Sequence, residues 1–178
     1  MSEKKIEVIR NKIISIENYP KDGIVFRDIL PILNDYTAMS YVLDVFEEHY
    51  KQITFTKIVG TEARGFLFGV PLAQRLNIGF VPARKKGKLP PPVISETYNL
   101  EYGTDTIEIQ ADALNSNDNV LIIDDLLATG GTVNATYNLI KALGANVEHA
   151  GFLINLPALG GEFLLNKNNL QTFNIFNF

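Results

Sequence analysis

The chain has 178 residues, 46% of them apolar and 20% charged, with a net charge of −4 from 16 basic and 20 acidic residues. That length and composition suit one globular domain with a real core, and the mild acidity argues against a nucleic-acid binder that works through a basic surface. Cysteine is absent and the only histidines are His49 and His149, which excludes disulfides and thiolate metal sites and argues against a histidine-rich zinc site.

No stretch reaches the ~18 apolar residues of a membrane span. The first ten residues, MSEKKIEVIR, are charged and lack an apolar segment, so a cytoplasmic protein without a secretory signal is expected. Ile6, Ile9, Ile13 and Ile16 recur at helical spacing and predict an amphipathic helix over residues 3–16. Asn18–Gly23 is turn chemistry. A second helix is predicted over Thr37–Tyr50, with Val42, Val45, Phe46 and Tyr50 inward. Lys57–Gly60 reads as a short buried strand, followed by a helix over Gly65–Leu76 that Pro71 should kink. Ile78–Pro82 is another short apolar run. Residues 84–112 carry a basic run, three prolines and alternation at Thr106–Gln110, which predicts an exposed loop leading into a β-hairpin laid over the core. Asn119–Ile123 is the clearest buried strand, Thr132–Leu143 is helical with Gly144 at its C-terminus, and Val147–Ile154 is a further strand. Residues 156–178 suggest a last helix and strand. Strands alternating with helices indicate an α/β domain over residues 1–178, with an open, mostly parallel sheet flanked by helices.

The most informative run is Val120–Thr132, VLIIDDLLATGGT. In an open α/β sheet, ligands bind beyond the carboxyl ends of the strands, where Asp124 and Asp125 are expected. Two adjacent carboxylates repel each other unless something uses them, and a vicinal diol can, by donating two hydroxyl hydrogen bonds. Ala128, Thr129, Gly130, Gly131 and Thr132 then open a helix. Glycines let backbone approach a ligand closely, and free amides at a helix start suit a phosphate. Acids for a diol one turn from a phosphate cradle describe a ribose 5-phosphate. A lone Asp pair or glycine pair would read as a strand–turn–helix junction with an acidic cap, a role compatible with this one. Neither a Walker-type loop nor a GxGxxG fingerprint is present.

This run resembles the phosphoribosyl pyrophosphate signature of the type I phosphoribosyltransferases. GIVFRDILP at Gly23–Pro31, EARGFLFG at Glu62–Gly69, RKKGKLP at Arg84–Pro90 and YNLEYG at Tyr98–Gly103 are similar to blocks of the adenine branch of that family, in the same order, and together span most of residues 19–155. The resemblance implies transfer of a phosphoribosyl group from phosphoribosyl pyrophosphate to adenine, giving AMP and pyrophosphate. It implies that Asp124 and Asp125 hold the ribose hydroxyls and that Ala128–Thr132 holds the 5-phosphate. Arg64 would face pyrophosphate, beside a cis-like peptide between Glu62 and Ala63. Arg84, Lys85 and Lys88 would complete an anion clamp, with Lys86 the least specific of this basic run. Glu101, framed by Leu100 and Tyr102, would exchange the purine proton, with Tyr102 closing a hairpin lid. A small N-terminal hood at Val25, Phe26 and Arg27 would recognise the base, with Leu126 on its opposite face. Where hypoxanthine–guanine relatives carry an aspartate, this chain has Ala128, so proton handling falls to Glu101. Pro91 replaces a glycine more common in the family. Mg²⁺ would arrive with the substrate rather than through protein ligands, and a homodimer is implied. The alternatives are a transferase for another base and a ligand-sensing regulator that lost the chemistry. Both histidines read as structural.

Overall fold

The computed structural model describes residues 3–99 and 103–178. The chain divides into two compact units, Met1–Lys51 and Gln52–Phe178. In the first, helix α1 (Glu3–Arg10) is followed by a two-stranded antiparallel ribbon, β1 (Ile14–Glu17) with β2 (Val25–Asp28). A short helix α2 (Leu30–Leu33) leads to α3 (Tyr36–Tyr50). Asp35 caps α3 by accepting from the Thr37 and Ala38 amides at 2.9 and 3.1 Å. Val42, Val45, Phe46 and Tyr50 are buried, as their spacing predicts.

The helix expected over residues 3–16 ends at Arg10. Ile14 and Ile16 also fit the two-residue period of a strand, and pairing with Phe26 and Asp28 gives their backbone a ladder that a lone helical turn lacks. The reversal between the two strands, at Asn18–Gly23, takes positive φ at Asn18 and Gly23.

The second unit holds a seven-stranded sheet of β3 (Lys57–Thr61), β4 (Gly79–Lys85), β5 (Val93–Asn99), β6 (Thr104–Gln110), β7 (Asn119–Leu127), β8 (Asn146–Asn155) and β9 (Gln171–Asn177), in the order β5-β6-β4-β3-β7-β8-β9. Strands β4, β3, β7, β8 and β9 are mutually parallel, and the hairpin β5–β6 joins antiparallel to β4. Helix α4 (Arg64–Leu76) follows β3 and runs through Pro71, while α5 (Gly131–Ala142) follows β7. A 3-10 turn at Pro157–Leu159 and helix α6 (Gly161–Asn166) precede β9. The helices take opposite faces of the sheet. Val59, Val81, Val120 and Ile122 pack with Val133, Leu139 and Ile140 of α5, whereas Ile58 and Phe80 approach Gly69 of α4.

Three further expectations change. Arg84 and Lys85 end strand β4 rather than beginning a loop, and the hairpin extends the sheet instead of lying over it. Ile107, Glu108 and Ile109 are consecutive and all buried, so β6 is covered on both faces. Strand β7 runs through the two acids to Leu127 rather than stopping at Ile123.

Candidate active site

The chain after β3 passes to β4 on one side, and the chain after β7 passes to β8 on the other, so the strand order reverses between β3 and β7. A crevice opens at such a point, beyond the carboxyl ends of the strands. The register makes room for it. β7 pairs with β3 only as far as Gly60↔Ile123, yet stays paired with β8 to Leu127↔Asn155. Past Ile123 the edge of β7 toward β3 is therefore open, and Asp124 and Asp125 occupy that stretch.

The first turn of α4 meets both acids. Gly65 sits so close that a Cβ there would come within 2.7 Å of the Ile123 carbonyl and 3.1 Å of Asp124 Oδ1. Arg64 Nε bonds Asp125 Oδ2 at 2.8 Å, with the arginine side chain 44% exposed and the aspartate 7%. Asp124 keeps an exposed edge but its carboxyl lies deep among protein atoms. Burial, reinforced by the charge of Asp125, pushes it well above the ordinary carboxylate range. The acid pair is thus held at an electrostatic cost that a hydroxyl or cation can relieve.

Asp124 and the run Leu126–Val133 line a small cleft. Gly130 has φ +81° and caps α5. The turn is backed by Gly161, whose amide donates to the Ala128 carbonyl at 3.0 Å. A Cβ on Gly161 would fall 2.3 Å from that carbonyl oxygen, so only glycine lets α6 support the turn this closely. Thr129 is exposed and Thr132 half-buried.

Opposite the acids, the peptide between Glu62 and Ala63 is cis. The Glu62 carboxylate gathers the basic run. It accepts from Arg84 Nε and Nη2 at 3.3 and 3.2 Å, the Lys85 amide at 2.7 Å and Lys88 Nζ at 2.6 Å. Burial alone would raise its pKa, but these donors outweigh it and hold the carboxyl at about 2. Lys85 Nζ turns the other way, to Asp105 and, at 3.4 Å, to the Tyr98 hydroxyl. The Gly87 amide donates to buried Glu108 at 2.9 Å. Arg84, Lys85 and Lys88 are therefore positioned cations, not a solvated tail.

Val25, Phe26 and Arg27 lie on β2 of the first unit, with Val25 exposed. Tyr19 meets the Phe26 ring edge-to-face at 5.2 Å, and Arg27 bonds the Ser15 hydroxyl. Glu101 and Tyr102 fall outside the described residues. Pro91–Pro92 is cis, just before β5. His149 stands edge-on to Phe55 at 5.8 Å, and burial lowers its pKa.

In the second unit the structure brings together Glu62, Ala63, Arg64, Arg84, Lys85, Lys88 and the segment Asp124–Thr132. Sequence reading missed the Glu62 side chain as their organiser, and missed Tyr98, Asp105 and Gly161. Tyr98 stands inside a recognised block, but nothing local marks its hydroxyl. The other two carry no signal of their own.

The phosphoribosyl transferase domain model matches residues 37–160. The chain is 55% identical over 178 residues to the adenine phosphoribosyltransferase of Aliivibrio salmonicida, covering 100% of this chain and 98% of that protein. The structure of adenine phosphoribosyltransferase from Thermoanaerobacter pseudethanolicus matches with TM-score 0.93 and 44% identity, over 97% of this chain and 99% of that one. The Saccharomyces cerevisiae enzyme, complexed with an imino-altritol bisphosphate and adenine, matches with TM-score 0.91 and 37% identity, over 98% and 100%. Likeness of this degree along the whole length means that the chain belongs to the adenine phosphoribosyltransferase family.

Proposed function

We propose that the chain is a purine-salvage enzyme that transfers the 5-phosphoribosyl group from phosphoribosyl pyrophosphate to adenine, releasing AMP and pyrophosphate. The observation that carries this reading is the acid pair at the open end of β7, between a glycine turn and a cluster of cations. The yeast relative with a bisphosphate and adenine supports the same substrates.

In this reading Asp124 and Asp125 accept from the ribose hydroxyls, and Ala128–Thr132 hold the 5-phosphate through amides and two hydroxyls. The bond from C1 to pyrophosphate breaks while C1 bonds N9 of adenine, so cationic character grows on the sugar and anionic charge on the leaving group. The acid pair favours the first charge. Arg64, Arg84, Lys85 and Lys88, with the amides around Glu62 and Ala63, favour the second. Arg64 would exchange Asp125 for pyrophosphate. Phe26 offers a flat ring for stacking on the base, Val25 and Arg27 offer groups for its edge, and Leu126 an apolar contact. Glu101 takes the N9 proton and Tyr102 shields the reaction from water. Mg²⁺ fits as an ion carried by the substrate: Asp124 and Asp125 are hard oxygen donors of the kind that would help hold it. When bound it would neutralise charge on pyrophosphate.

The enzyme works as a cytoplasmic homodimer in this proposal. Exposed apolar side chains, Leu30 and Tyr36 in the first unit and Leu67 and Val70 in the second, offer surface for a second copy. Among the described residues no helix is long and apolar enough to cross a membrane.

The test is a panel of labelled adenine, hypoxanthine and guanine with Mg²⁺ and phosphoribosyl pyrophosphate. Adenine alone should be consumed at an appreciable rate. Consumption of a 6-oxopurine with adenine ignored would reassign the base, and no turnover of any would favour a regulator. Glu101→Ala should lower turnover far more than donor binding, and an unchanged kcat would remove its proton-transfer role.

A further inference from the structure

Tyr98 lies near the end of β5, where the hairpin comes over the start of α5. Its ring covers Gly131, where a Cβ would come within 3.2 Å of Cδ2. The Thr132 hydroxyl donates to Tyr98 Oη at 3.0 Å, and Lys85 Nζ donates to the same oxygen at 3.4 Å. Tyr98 Oη in turn donates to Asp105 Oδ2 at 3.3 Å, and Asp105 also holds Lys85. Burial works against the charge on Lys85, but its bonds to Asp105 and Tyr98 outweigh burial and keep the ammonium charged. A second tie, Asn138 Nδ2 to Glu96 Oε1 at 3.0 Å, fastens the hairpin to α5 nearly two turns further on.

The phenol thus stands between the end of β4 and the start of α5, which are far apart in sequence. Thr132 belongs to the glycine turn and Lys85 to the cation run, and each is bonded to one oxygen. A donor with a phosphate at one end of the sugar and a pyrophosphate at the other must be gripped by both segments at once. Flexible grips would each lose side-chain freedom on binding, whereas two grips already joined lose less.

The geometry points to Tyr98 as a positioning residue that locks the Thr132 hydroxyl and the Lys85 ammonium into one unit, so that the two phosphorylated ends of the sugar are bound by a connected site. This rests on the assignment of Thr132 to the 5-phosphate and Lys85 to pyrophosphate proposed above.

Tyr98→Phe keeps the ring over Gly131 and removes only the linking oxygen. Titration calorimetry with Mg²⁺ would measure ribose 5-phosphate and inorganic pyrophosphate separately against wild type, Tyr98→Phe, Thr132→Val and Lys85→Ala. Loss of one shared hydrogen-bonding group should weaken both probes by about five- to tenfold in Tyr98→Phe. Thr132→Val should weaken mainly ribose 5-phosphate, and Lys85→Ala mainly pyrophosphate. In turnover, Tyr98→Phe should raise KM for phosphoribosyl pyrophosphate with kcat held within about twofold, because the lost interaction serves ground state and transition state alike. Wild-type affinity for both probes in a folded Tyr98→Phe protein would overturn the inference while leaving the assignments of Thr132 and Lys85 standing. If Thr132→Val and Lys85→Ala also leave their own probes unchanged, those assignments fall and the inference falls with them.

Discussion

Replacing Glu62 by glutamine keeps the shape of the group that gathers Arg84, the Lys85 amide and Lys88 but removes its charge. Its carboxyl is held at about 2 against an ordinary 4.5. A depression of that size corresponds to ~3 kcal/mol of folded-state stability at neutral pH. Arg84 and Lys88 are 33% and 52% exposed, so solvent screens part of the attraction, and about 1–2 kcal/mol is the expected loss in Glu62→Gln. Because the folded protein binds this proton less readily than the unfolded chain, the contribution is full above the ordinary value of 4.5. It fades as pH falls toward about 2. Urea unfolding of both proteins between pH 7 and pH 3 would follow this, with more than half of the difference gone by about pH 3. A stability gap that stays flat across that range, or no gap at pH 7, would refute the picture of Glu62 as the charged hub of the basic run.

Asp124→Asn is expected to act in the opposite direction on stability. The folded-state pKa of Asp124 is raised by burial and by Asp125, so its ionised form penalises the folded state at high pH. The penalty disappears as pH falls to the ordinary carboxylate range. The variant should therefore melt higher than wild type at pH 8 and lose that advantage in mild acid, while binding ribose 5-phosphate about tenfold more weakly. A variant that gains no stability at pH 8 would contradict the buried-acid reading, and unaltered affinity would remove Asp124 from the sugar site. Gly161→Ala forces a Cβ against the Ala128 carbonyl and within 3.0 Å of the Gly130 amide. Backbone must move on one side, so a loss of about 2 kcal/mol is expected, together with weaker ribose 5-phosphate binding through the displaced turn. Calorimetric melting and titration check the two effects, and wild-type values in both would show that α6 does not brace the turn.

Local patterns carried the elements whose signal is short-range. The β-branched run ending in Asp124 and Asp125 marks a buried strand with polar ends, and the glycines at Gly130 and Gly131 mark a turn opening a helix. Both need only neighbouring residues to be read. The helical spacing of Ile6, Ile9, Ile13 and Ile16 predicted one helix, but Ile14 and Ile16 also fit a strand, and the ribbon partner at Val25–Asp28 decided for the strand. Pairing over a long sequence separation also turned Arg84 and Lys85 into strand, since β6 follows them only after the whole of β5.

The sequence by itself determined which chemistry is available: acids for a diol, amides and hydroxyls for a phosphate, and cations for a leaving anion. Tertiary structure decided which groups meet. Strand order set Arg64 against Asp125, gathered Arg84 and Lys88 on Glu62, and carried Tyr98 over Gly131 to reach Thr132 and Lys85. Side-chain type is written residue by residue, but distance between residues remote in the chain is set only when the sheet closes its register.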